Sequence, residues 1–344
     1  MWNQQRVFQT IGRRAVVVWG LIALLNLPVA LRAADDAAAD WDKLAKDLQV
    51  RELQTLMFAK SSDAGLQKIA EFLKRHPAGE EREKVLYLRA YCLWSLYRYE
   101  QAGPSYAALL KEYPESKFRR LALIREAAAY LFSGQAEQAL KRLRVLRKQY
   151  PERPEMYGRE LAHALSLTGK QIEALEFINE VETEMAVTKP RLLPRMQQHF
   201  NKIRLVGEKL PAFAVKDHIN GKSITPKTFQ GKVVLVDFWA TWCRPCVAEL
   251  PTIKSVYDKH HADGFEIFAV SLDSDQGRLD AAIEQRQMNW WHFYDGKKWK
   301  NRLAVEFDVH SVPLNLLVDR QGIVRATGLR KQALKSWVAR LVAE

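Results

Sequence analysis

An almost unbroken apolar run, Val233-Val234-Leu235-Val236-Asp237-Phe238-Trp239, leads within three residues into Trp242-Cys243-Arg244-Pro245-Cys246 and then into helical spacing from Pro245 to His260. Such a run reads as a strand buried on both faces, which requires cover on each side of the sheet. Further strand patterns over 265–272, 291–294, 314–319 and 323–327 alternate with helical patterns over 278–288 and at the end of the chain, and Asp319-Arg320-Gln321-Gly322 supplies a turn. The alternation predicts an α/β domain with a central mixed, partly parallel sheet.

The chain has three cysteines in 344 residues, and two stand three positions apart. A secreted domain stabilised by disulfides carries several spaced pairs, so one close pair points to exchange chemistry. Exchange needs a thiolate, and an ordinary cysteine with a pKa of about 8.5 is only slightly ionised at neutral pH. Cys243 follows a strand and a short turn, so it falls at the start of a helix, where unpaired N–H groups favour negative charge. Reaching a pKa near 7 takes roughly 2 kcal/mol, whereas an exposed helix terminus supplies about 0.3–1 kcal/mol. The remainder is assigned to the Cys246 thiol as a hydrogen-bond donor and to the charge of Arg244. The geometry makes Cys243, at the exposed end, the attacking thiol and Cys246, one turn deeper, the resolving one. Pro245 stiffens the turn and suits the first turn of a helix. A zinc site would need further ligands, and His260, His261, His292 and His310 lack ligand spacing, so neither a metal nor another cofactor is expected.

The first half reads differently. Between about 45 and 188 it lacks strand alternation and repeats itself. His76-Pro77, Tyr113-Pro114 and Tyr150-Pro151 recur every 37 residues, each after an amphipathic stretch. Ala102 and Ala139 share that spacing and Ala174 follows 35 residues later. Helix pairs closed by proline, with small alanines where neighbouring helices meet, resemble tetratricopeptide-like repeats. An array of this kind binds a peptide or another subunit, or serves as a spacer or dimerisation element. Cys92, four residues after Leu88 and four before Leu96, shares their apolar face and reads as core. A basic, proline-flanked linker over 189–205 joins the array to the domain at 206–344, and 193–206 has the spacing of one helix.

Arg6, Arg13 and Arg14 precede an apolar run over 15–31, followed by Arg32-Ala33-Ala34. Residues 1–33 therefore read as a signal peptide cleaved near Ala33 or as a retained N-terminal anchor, which places the chain outside the cytosol, in a periplasm or facing it. The net charge of +13 is spread along the chain without a nucleic-acid motif, so no nucleic-acid partner is expected.

Residues 233–251, VVLVDFWATWCRPCVAELP, resemble the active-site segment of the thioredoxin superfamily, and the stretch from about 206 onward is similar to its exported TlpA-like and ResA-like branch. The added helix and strand at about 276–294 fall where that branch carries an insertion. The resemblance implies that Asp237 is the buried acid behind the second cysteine and that Glu249 is the branch's acid three residues past the pair. Both would handle protons at Cys246. It further implies a cis peptide at Val312-Pro313 that presents backbone groups to a bound peptide, beside Trp242, Arg244 and Pro245. Leu314 stands where threonine is common in the family, a departure that bears on substrate preference. Trp239 and Trp242 would border the site, with core packing the other reading of Trp239. The expected function is an exported thiol-disulfide oxidoreductase that reduces a disulfide-bearing client and draws electrons from a thiol-disulfide donor. A scaffold with a vestigial redox domain and a thiol peroxidase remain the alternatives.

Overall fold

The computed structural model describes residues 35–48 and 62–344. The expected signal peptide or anchor lies outside the described residues, and among these no helix is long and apolar enough to cross a membrane. Helix α1 (35–47) is followed by α2 (Asp63–Arg75), α3 (Glu80–Ser95), α4 (Tyr99–Glu112), α5 (Arg119–Phe132), α6 (Ala136–Gln149), α7 (Gly158–Leu167) and α8 (Gln171–Thr188). His76, Tyr113 and Tyr150 are the C-cap residues of α2, α4 and α6. Each recurring proline thus stands one residue past a helix end, where its ring cannot extend the hydrogen-bond ladder. Ala102, Ala139 and Ala174 sit near the starts of α4, α6 and α8 and are completely buried. With only a methyl group at each, the antiparallel neighbours approach closely. Cys92 is buried in the core shared by α1 to α5.

The segment after the array forms α9 (Leu193–Arg204). Met196, Phe200 and Ile203 insert into the core of α5 to α8, so this stretch is packed structure rather than a loose tether.

The C-terminal domain begins with a small hairpin, β1 (Val215–Lys216) and β2 (Ser223–Ile224), and continues with β3 (Val233–Trp239), α10 (Arg244–His260), β4 (Phe265–Ser271) and α11 (Gln276–Gln285). It ends with β5 (Trp291–Phe293), α12 (Arg302–Glu306), β6 (Leu314–Val318), β7 (Val324–Thr327) and α13 (Lys331–Ala343). The five-stranded sheet has the order β5-β4-β3-β6-β7, with β3, β4 and β5 parallel and β6 and β7 antiparallel to their neighbours. Every residue of β3 and β4 is buried, as cover on both faces demands. The helix expected over 278–288 ends earlier because Gln287 adopts a left-handed backbone, φ 51°.

The two halves are bonded together. Within the C-terminal domain, residues 207–210 extend the sheet edge, with Gly207 N–H donating to Val324 O (2.8 Å) and Leu210 N–H to Gly322 O (2.8 Å), and the contacts that cross between the halves lie beside them. His163 Nε2 meets Thr327 O at 2.8 Å, and Lys202 Nζ donates to Phe307 O at 2.8 Å. The turn between α5 and α6 touches α13 so closely that a Cβ on Gly134 would lie 3.1 Å from Ala333 N. Gly134 also has φ +78°, so both contact and conformation require glycine.

Ala139→Leu tests the helix spacing. Overpacking at this site should cost about 1–3 kcal/mol, read as a lower midpoint in thermal unfolding followed by circular dichroism; an unchanged midpoint would contradict the tight approach.

Candidate functional site

Strand β3 carries Asp237 into the centre of the sheet and ends at Trp239, after which the chain turns toward the cysteines. The turn is held from the end of β4: Asp273 accepts from Thr241 N (3.1 Å) and Thr241 Oγ1 (2.6 Å), and from Ser271 Oγ (2.8 Å). Cys243 then caps α10, its Sγ accepting from Cys246 N at 3.2 Å. The two cysteines are joined as a disulfide.

The expectation of an exposed Cys243 is corrected. The residue is only 5% exposed and Cys246 2%, because the Cys243 side chain folds back over the helix start, and both cysteines belong to the domain core. Arg244 and Pro245 are exposed beside it in the first turn. Trp242 is 48% exposed and meets Trp299 edge-on with ring centroids 5.8 Å apart. Trp239 is fully buried and serves the core.

Asp237 is buried, and its pKa is pushed up to about 7, chiefly by desolvation. The Arg330 charge opposes this and the Glu249 charge adds to it. Glu249, also buried, accepts from Lys331 N at 3.1 Å and lies 3.9 Å from the Lys331 ammonium. A carboxyl that titrates near neutrality can take up and return a proton over the working pH range.

The Val312–Pro313 peptide is cis. The Pro313 carbonyl accepts from the Arg330 guanidinium, which also donates to Leu329 O at 2.9 Å. Asn315, directly across from Asp237 in the β3–β6 register, holds the loop that carries Arg330. Its Nδ2 donates to Leu329 O (2.9 Å) and its Oδ1 accepts from Leu329 N (2.8 Å). The loop from Gly328 to Lys331 is therefore anchored to β6, to the cis-proline and to Glu249 on α10. Arg330, Asn315, Asp273 and Trp299 were missed in the sequence, because each gains its role from a residue far away along the chain. Trp299 alone left a trace, as an aromatic within the basic stretch Lys297-Lys298-Trp299-Lys300.

Residues 206–327 match the AhpC/TSA family, and residues 84–116 and 121–153 match the tetratricopeptide repeat. The thiol-disulfide oxidoreductase ResA of Bacillus thuringiensis is 31% identical over 119 residues, 35% of this chain and 66% of that protein. ResA of Bacillus anthracis is 32% identical over 120 residues, with the same shares. The thioredoxin-like protein YneN of Bacillus subtilis is 27% identical over 122 residues, 35% of this chain and 68% of that protein. The chain thus spans just under two thirds of the length of the ResA proteins it matches here. Among solved structures, the thioredoxin domain of a thiol-disulfide oxidoreductase from Bacteroides vulgatus aligns at TM-score 0.37 and 31% identity, covering 40% of this chain and 97% of that one. The C-terminal domain is thioredoxin-like, with ResA among its relatives, and it follows an array of tetratricopeptide repeats.

The folded protein keeps the Asp237 proton up to about pH 7, whereas the unfolded chain releases it near its ordinary value of 3.8. Between these limits the native state binds more protons, so this group's contribution to stability falls as pH rises from about 4 to 7, by up to about 4 kcal/mol. Asp237→Asn should therefore raise the melting midpoint relative to the parent more at pH 8 than at pH 4. Equal differences at the two pH values would contradict the burial-driven shift.

Proposed function

We propose that the chain is an exported thiol-disulfide oxidoreductase that reduces client-protein disulfides through Cys243 and Cys246, with the helical repeats engaging a protein partner. The observation that carries this reading is the Cys243–Cys246 bond closed across the start of α10, with the neutral-titrating Asp237 buried in the strand that leads to it. The relatives named as thiol-disulfide oxidoreductases support it over the matched domain.

In the reduced protein, the Cys246 amide and the helix N-terminus favour a thiolate at Cys243. That thiolate attacks one sulfur of the client disulfide. A Cys243–client bond forms as the client S–S bond breaks, and the first client thiolate leaves and takes a proton from solvent. Cys246 passes its proton to the Asp237 carboxylate and attacks Cys243 Sγ. The second client thiolate departs and is protonated, Asp237 returning the proton it received. Two electrons have moved from the dithiol to the client, and a thiol-disulfide electron donor must then reduce the Cys243–Cys246 bond. The scheme requires no metal or organic cofactor. Export rests on the basic start and apolar run of residues 1–33 and on the oxidising compartments in which client disulfides persist.

The AhpC/TSA match gives a thiol peroxidase a hearing, but the Thr-x-x-Cys spacing of a peroxidatic site is missing: Ala240 stands three residues before Cys243.

With a model peptide disulfide, Cys246→Ser should accumulate a mixed disulfide that dithiothreitol releases, and Cys243→Ser should form none. Absence of any mixed disulfide, together with unchanged partner capture by the double cysteine variant, would leave the scaffold reading instead. Asp237→Asn should slow resolution of the mixed disulfide at pH 7 by about a hundredfold or more, measured by quenched-flow and mass spectrometry.

A further inference from the structure

Behind the cis-proline, between the repeat array and the C-terminal domain, lies a cleft of about 240 Å³. Pro313, Ser311 and Arg330 line one side, and Arg159, His163 and His199 from α7 and α9 line the other. Its charge is unbalanced. Among the described residues Glu160 is the one acid in the lining, and the Arg159 guanidinium grips it through two nitrogens. Lys202 is committed to the carbonyls of Phe307 and Asp308 and to the Asp308 carboxylate at 3.4 Å. Among the described residues, Arg330 donates to neutral carbonyls only, those of Pro313 and Leu329. Both histidines resist a further positive charge: burial and the neighbouring Arg159 push His199 down to about 4, and burial also lowers His163. The cleft therefore holds net positive charge in a partly dehydrated setting, where a carboxylate gains most from a guanidinium.

Position links this charge to the chemistry. Pro313, half of the cis peptide along which a client segment would lie, is itself part of the cleft wall. The volume is below that of ordinary small-molecule sites, roughly 300–1,000 Å³, and suits one side chain. We propose that the cleft receives the carboxylate of an Asp or Glu that flanks the client's reactive cysteine. The array would then be one wall of the substrate site, so that client choice and electron transfer occur at a single place. The inference rests on the oxidoreductase reading above.

The test uses the full chain and two peptide disulfides that differ only by Glu or Gln next to the cysteine. The Glu peptide should show a KM about tenfold lower, equivalent to 1.4 kcal/mol, with similar kcat. In Arg330→Gln the ratio of the two KM values should fall toward one; because the ratio is taken within each variant, a general loss of activity cancels. Equal KM values in the parent overturn the proposal without needing any variant, as does a ratio that Arg330→Gln leaves intact. Turnover of both peptides without preference removes the cleft assignment and leaves the oxidoreductase reading standing, whereas no reaction with either peptide removes both. Glutathione disulfide serves as a third substrate. If its KM is lower than that of the Glu peptide and it competes with that peptide, the carboxylate belongs to glutathione and the client assignment is overturned.

Discussion

A carboxyl group in the middle of a fully buried strand is the constraint around which the C-terminal domain is organised. β3 lies between β4 and β6 at the centre of the sheet with every residue buried, so Asp237 cannot ionise without cost. That cost keeps a proton within the core close to neutral pH. The charges that adjust it, Arg330 from the loop before α13 easing it and Glu249 from α10 adding to it, come from the elements that also hold the cysteine pair and the cis-proline. The buried carboxyl, the cysteine pair and the cis-proline are thereby held by one set of contacts.

Asn315 ties these contacts together. It sits across from Asp237, and its amide completes both backbone bonds of Leu329, so Arg330 projects from a fixed point toward the Pro313 carbonyl. The repeat array bears on the same loop through His163 at Thr327 and on α13 through Gly134 at Ala333. Hydrogen bonds and a close glycine contact join the halves, with a charged cleft between them.

Much of this was legible from the residues. The unbroken apolar run of β3 could satisfy its surroundings only in a covered sheet, and the 37-residue recurrence of proline after His76, Tyr113 and Tyr150 marked three helix ends. The local pattern also placed Cys243 at a helix start. Exposure was misjudged because a side chain that caps its own helix turns inward, a rotamer choice that spacing does not encode. The connecting segment read as a linker, yet Met196, Phe200 and Ile203 place it in the core of the array, since burial depends on what lies opposite each side chain.

The sequence by itself determined the dithiol, its place between strand and helix, the repeat period and the alternation of elements, because these follow from periodicity, proline geometry and the chemistry of adjacent residues. Tertiary structure alone decided that Asp237 titrates near neutrality, that Arg330 holds the cis-proline carbonyl, and that cations of α7 and α9 line one cleft with Pro313 and Arg330. Those properties arise from burial and from charges brought together across as many as 170 or so positions of chain, and electrostatic energies depend on distance in space rather than along the sequence.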